Sequence, residues 1–187
     1  MNENARIDLG SVFDAHMAAE FEQHDADATM ETMTAEPYLT HVPVVTGGVG
    51  HRDLHDFYRD HFVTKWPADL SVERITRTQG DDILIDEFIV RYTHDVVMDA
   101  ILPGIAPTGR RVEVPHVAVV GFEDGKVAFE RIYWDQASLL AQIGLLDASV
   151  LPVVGADQAR VVCDPTRPRN ELITRAERTA AESTNPG

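Results

Sequence analysis

Basic residues are scarce in this chain of 187 residues: 16 Lys and Arg face 31 Asp and Glu, a formal net charge of -15. A nucleic-acid-binding surface needs a basic stripe that releases counterions from phosphate, so the deficit argues against such a partner. Nor does a Lys/Arg cluster offer itself to an anionic membrane, the nearest thing being Arg110-Arg111 at a turn. Cysteine is almost missing. The lone Cys163 excludes an internal disulfide and a multi-cysteine zinc site. Long apolar runs are absent too, none nearing the ~18 residues of a membrane-crossing helix. The opening MNENARIDLGSVF lacks the basic and apolar segments of a secretion signal, which makes the cytoplasm the expected location.

What is present suffices for one buried core with an appendage: 44% of the residues are hydrophobic and 25% charged. From Asp8 to His24, Leu9, Val12, Phe13, Met17 and Phe21 recur at three- and four-residue steps, which predicts an amphipathic helix. Asp25 to Thr34 reads as a second short helix ended by Pro37, and Tyr38 to Val42 as a short strand. Pro43 to Gly50 reads as a loop leading into a helix over Arg52 to Val63.

The period then changes. Leu70 to Thr78, Ile83 to His94, Val96 to Leu102, Arg111 to Phe122 and Lys126 to Trp134 are rich in Val, Ile, Tyr and Phe and are separated by turn signals. Asp124-Gly125 between two such runs predicts a hairpin. Gln136 to Leu146 closes the segment as a helix. Helices first and strands afterwards predict an α+β protein with a curved, largely antiparallel sheet. Residues 8–146 form the expected domain and 147–187 an extension, with a short helix over Ala156 to Cys163, a polar one over Glu171 to Glu182, and fraying from Ser183 to Gly187.

Three short stretches carry a family likeness: the turn Pro107-Thr108-Gly109-Arg110, the run Gly125-Lys126-Val127 leading to Tyr133-Trp134-Asp135, and Leu139-Leu140-Ala141-Gln142-Ile143-Gly144. Through them the chain resembles the SnoaL-like branch of the nuclear transport factor 2-like superfamily, which includes polyketide cyclases. The resemblance implies a cone of N-terminal helices packed on a curved sheet, with a small-molecule pocket on the concave face. It also implies a general acid/base Asp near the end of the last long strand, the place of Asp135. The superfamily holds isomerases, epoxide hydrolases, cyclases and inert binding modules, so chemistry must be argued from side chains.

A carboxyl group walled by Tyr133 and Trp134 would be desolvated and could serve as acid or base, but Asp135 also stands where a helix needs an N-cap. His41 on its short strand is a second candidate for proton relay, against the plainer reading of a core histidine bonded to backbone. His116 shares a strand face with Val114, Ala118 and Val120, so it faces either the pocket or a subunit contact. Glu87 and Arg91 share a strand face with Ile85 and Ile89, as a buried ion pair or as polar anchors; with Asp135 they loosely imitate the Asp–Arg–Asp set of epoxide hydrolases in the superfamily. A register slip of one would put Asp86, Val90 and Tyr92 in their place. Tyr58, Trp66, Met98 and Trp134 are expected pocket walls. His51 and His55, at helical i,i+4 spacing, lack a third ligand, and the Gly47–Gly50 loop lacks a P-loop lysine. The reading is therefore a cyclase, isomerase or lyase without metal or cofactor, acting on a hydrophobic oxygenated molecule. An epoxide or lactone hydrolase and a non-catalytic binding module are the alternatives. The open convex sheet face predicts a homodimer.

Overall fold

The computed structural model describes residues 7–184. Helix α1, Leu9–Ala18, is capped by the Asp8 carboxylate on the Gly10 N–H and runs without a break into a π turn, Ala19–Gln23. Its end is fixed by His24 in the left-handed region at φ 53°. Asp25 caps α2, Ala26–Glu31, through the Ala28 N–H. The next three elements are β1 (Met33–His41), β2 (Thr46–Val49) and α3 (His51–Phe57), which also continues into a π turn, Tyr58–Phe62. Strands β3 (Ser71–Gln79), β4 (Ile83–Thr93), β5 (Arg111–Glu123) and β6 (Lys126–Trp134) follow, then helices α4 (Gln136–Gln142), α5 (Asp157–Cys163) and α6 (Glu171–Thr184).

One six-stranded sheet in the order β2-β1-β6-β5-β4-β3 carries the fold. Every pairing is antiparallel except β1 with β6, which is parallel. The expected hairpin at Asp124-Gly125 joins β5 to β6, with both residues at positive φ. The first helix and the α+β, sheet-on-helix architecture follow the expected pattern.

Three expectations are corrected. Val96 to Leu102 is not a strand: Ile101 and Leu102 N–H both bond the Met98 carbonyl, and Met98, Ala100, Ile101 and Leu102 are buried as a compact plug. A run of apolar residues with no alternation marks burial and does not by itself mark a strand. The Thr46–Val49 segment, read as loop, is strand β2, because its glycines serve packing: a Cβ on Gly48 would stand 2.7 Å from the Leu54 backbone of α3. Strand β1 begins at Met33, well before Pro37, and a register irregularity between Met33 and Tyr38 absorbs the proline. Of the segment expected to fray, Ser183 and Thr184 end α6, and residues 185–187 lie outside the described residues, as do residues 1–6 of the opening stretch.

Alternation sorts the side chains between the faces. Leu84, Asp86, Phe88, Val90 and Tyr92 of β4 are buried toward the helices, with Val112, Val114, His116, Ala118 and Val120 of β5. On the convex face Ile85 and Val117 are exposed, yet Ile89 is fully buried. Helix α5 packs on β5 there, and Arg160 of α5 reaches Glu113. Helix α6 buries no residue. Ile89→Ala should lower stability by about 2–5 kcal/mol, as expected for a large-to-small change in a closed site. Urea unfolding followed by circular dichroism would reveal this as a lower midpoint at unchanged slope.

Candidate active site

A cavity of about 40 Å³ lies between α1, the two π turns and the concave face of the sheet. Phe13, Met17, Phe21, Phe62 and Trp66 form its helical side, and Leu39, Phe88, Val90, Ala118 and Ile132 its sheet side. Its polar groups are Glu20, His41, His116 and Glu130. A surface hollow of about 420 Å³ shares Phe13, Met17, Phe21, Val72 and Phe88 with it, so those side chains form the neck between cavity and solvent. Asp14, Arg74, Arg77 and Asp86 line the hollow, with the Arg77 guanidinium gripping both oxygens of Asp86 at 2.7 and 2.6 Å.

Two residues that the sequence reading missed, His16 and Glu20, make the most charged part of the site with Glu130. Along α1 and into its π turn the buried stripe is Leu9, Phe13, His16 and Glu20, so the pair faces the sheet. The fully buried His16 ring has Nε2 2.9 Å from Glu130 Oε1 and 3.1 Å from Glu20 Oε1. Its Nδ1 lies 2.6 Å from Thr32 Oγ1. Thr32 donates its own hydroxyl proton to the Thr29 carbonyl, so it accepts from His16 Nδ1–H. Tyr58 Oη donates to Glu130 Oε1 at 3.1 Å.

Burial opposes charge on His16, but the carboxylates of Glu130 and Glu20 outweigh it and raise the imidazole to about 10. Burial likewise works against ionisation of Glu130; the His16 charge and the hydrogen bonds from His16 and Tyr58 win and hold that carboxyl below its ordinary value. Glu20 goes the other way. Burial pushes it up, with Glu130 adding to the shift and His16 opposing it. The resting cluster is thus an imidazolium–carboxylate pair beside a second carboxyl group that burial raises above its ordinary value. Tyr58 is also pushed up, first by burial and then by the two carboxylates, and stays a donor.

The opposite wall is uncharged. His41 Nδ1 donates to Thr46 Oγ1 at 3.0 Å, since that hydroxyl gives its proton to the Ala100 carbonyl. His116 Nδ1 donates to the Val114 carbonyl at 3.1 Å. Burial lowers both imidazoles to about 4. Each is therefore neutral with its lone pair on Nε2. The His116 ring is stacked between Phe88 and Trp134, and His41 meets Phe57, Phe62 and Trp134. Trp66 Nε1–H is buried without a hydrogen-bond partner.

Of the residues expected from sequence, His41, His116 and Trp66 line the cavity and Trp134 backs both histidines. Tyr58 is a donor to Glu130 and not a wall, and Met98 is packed in the core away from the cavity lining. Asp135 is elsewhere: its carboxylate accepts from the Ala137 and Ser138 N–H groups, from Ser138 Oγ and from Gln158. Burial tends to raise it, but these bonds hold it below its ordinary value, the reverse of what an acid needs. Glu87 and Arg91 lie on the convex face, where Arg91 pairs with Glu73 and Glu113 and Glu87 accepts from Thr76. Of the two registers, the one that turns Asp86, Val90 and Tyr92 toward the helices is adopted. The Glu87–Arg91–Asp135 imitation of an epoxide-hydrolase set is not assembled.

Helices roofing the concave face of a curved, open mixed sheet, with the cavity between, define the nuclear transport factor 2-like, or ketosteroid isomerase-like, fold. The profile of the SnoaL-like domain matches residues 13–130, and the chain belongs to that family. Solved structures agree on the fold. A candidate SnoaL-like polyketide cyclase from a Jannaschia species superposes with a TM-score of 0.56 at 18% identity, covering 79% of this chain and 100% of that one. IdmH, a candidate polyketide cyclase from Streptomyces antibioticus, gives 0.54 at 16%, covering 73% and 98%. A protein of ketosteroid isomerase-like fold from Catenulispora acidiphila, solved with trimethylamine, gives 0.55 at 15%, covering 75% and 97%. No curated protein matches the chain.

The two walls titrate in opposite senses. His16, raised above its unfolded value, contributes stability that is complete below about 6.5 and lost as pH rises toward about 10. His41 and His116, depressed when folded, contribute stability that is complete above about 6.5 and lost as pH falls toward about 4. Melting temperature should therefore peak near neutrality. His116→Gln should flatten the acid limb and His16→Gln the alkaline limb in scanning calorimetry across pH.

Proposed function

We propose that the chain is an acid/base enzyme of the cyclase, isomerase or lyase kind, acting on a hydrophobic molecule that carries a keto or enol oxygen. The observation that supports this best is the raised, cavity-facing carboxyl of Glu20, held against the His16–Glu130 pair. A carboxyl group tuned upward by burial is a better base once ionised than an exposed one, and an acid once protonated. In this reading the Glu20 carboxylate takes a proton from carbon next to a carbonyl, and the electron pair moves onto the oxygen as an enolate. Trp66 Nε1–H is free to donate to that oxygen, and the Nε2 atoms of His41 and His116 accept from ligand hydroxyl groups. Glu20 then returns its proton to a different carbon or oxygen. The cavity holds only a few waters at its present size, so a polyketide-sized ligand requires the neck formed by Met17, Phe21 and Val72 to open.

The test is loss of deuterium to solvent from α-deuterated aromatic β-diketones and cyclic enones, followed by NMR with chelator-treated protein. Wild type should catalyse exchange and Glu20→Gln should lose it by at least ~100-fold. Asp135→Asn should exchange normally while melting earlier, as loss of a helix cap requires. Exchange that is indifferent to Glu20 would sink the assignment.

A homodimer through the uncovered part of the convex face belongs to the same proposal. Ile85, Val117 and Tyr133 are exposed on β4, β5 and β6. Size-exclusion chromatography with light scattering should give twice the chain mass, and a monomer at tens of micromolar would refute it.

A further inference from the structure

We propose that His16, Glu20 and Glu130 form a binding site for one divalent first-row transition-metal cation. The three donor atoms lie within 4.8 Å of one another and all three residues are buried. Metal–ligand bonds of ~2.0–2.2 Å at right angles put neighbouring donor atoms ~3 Å apart. The distances from His16 Nε2 to Glu130 and Glu20, 2.9 and 3.1 Å, already have that spacing.

Three further features fit a cation better than an ordinary ion pair. A single Nε2–H shared between two carboxylates cannot be well aligned with both, whereas a metal ion takes all three ligands without that conflict. The Nδ1–H bond to Thr32 orients the ring and commits its other proton, which is the support that ligating histidines generally have. The Tyr58 hydroxyl does the same for Glu130. Glu20 and Glu130 also line the cavity, so positions beyond the three protein ligands open toward it. One imidazole with two carboxylates suits Mn²⁺, Fe²⁺, Co²⁺ or Zn²⁺ over Mg²⁺ and Ca²⁺, which prefer oxygen alone.

Coordination replaces the proton on His16 Nε2 and any proton on Glu20, and both leave to solvent. The Glu20 lone pair is then engaged by the metal, so a loaded site does not perform the proton transfer proposed above. The inference uses the same residues as that reading, but its readout is independent of it.

The experiment is titration of the chelator-treated full chain with Co²⁺, followed by visible absorption and by equilibrium dialysis with metal analysis. The expected result is one Co²⁺ per chain, displaced by Zn²⁺ and not by Mg²⁺ or Ca²⁺. Glu20→Gln and Thr32→Val separate the site from general surface binding. The first removes a ligand at constant shape and should weaken binding ~100-fold or more, and the second removes only ring support and should cost ~10-fold. A His51→Ala/His55→Ala double variant should bind as wild type does. Absence of stoichiometric uptake, uptake that follows His51 and His55, or uptake indifferent to Glu20 would each overturn the proposal. Deuterium exchange by the metal-free protein distinguishes the two readings: exchange without Co²⁺ binding leaves the acid/base reading standing alone. Co²⁺ binding without exchange leaves the metal site alone.

Discussion

An ionised imidazole cannot be buried between a helix and a sheet unless its counter-charges are buried with it. His16 meets that requirement with one carboxylate four residues along its own helix and another 114 residues away on β6. The contact therefore fixes which face of α1 meets the sheet, how far along β6 it sits, and where the roof of the cavity ends. Thr32 and Tyr58 extend the same network to the end of α2 and to the π turn after α3. Four elements that share little chain are held in one arrangement by groups that would be costly to leave unpaired.

Around that cluster the cavity is divided electrically. One wall holds an imidazolium, a carboxylate and a carboxyl raised above its ordinary value; the other holds two imidazoles kept neutral by apolar and aromatic neighbours. Neither wall is set by long-range charge. The net charge of -15 lies mainly on exposed carboxylates, whose interactions water and salt screen, so the cavity chemistry follows from local burial.

Much of the architecture was legible in the sequence because two periods, near 3.6 and 2, survive in it. The first helix, the long strands and the Asp124-Gly125 turn follow from them, and the family likeness was carried by three short stretches in a turn, a strand and a helix. Side-chain facing was less legible. Glu87 and Arg91 looked equivalent to Asp86 and Val90, because β4 is apolar on both faces: Ile89 on the outer side is as fully buried as Leu84 on the inner side. Val96 to Leu102 has the composition of a strand but packs as a plug. His16 and Glu20 escape a reading based on apolar periodicity because they are polar, although Leu9, Phe13, His16 and Glu20 complete a helical stripe. Glu130 stands in strand alternation with Ile132 and Trp134, and following that alternation would have placed it inside.

The two π turns meet across the cavity. Phe21 of the first packs edge-on against Phe62 of the second, and His24 at the end of one bonds the Val63 carbonyl at the end of the other. A π turn is an α-helical turn carrying one residue too many. Such a segment has room to lose a residue and relax into ordinary helix, whereas the same deletion elsewhere in a helix would rotate everything beyond it. Length variation in the lineage has its cheapest outlet here, and it would act directly on the shape of the cavity while leaving the sheet untouched.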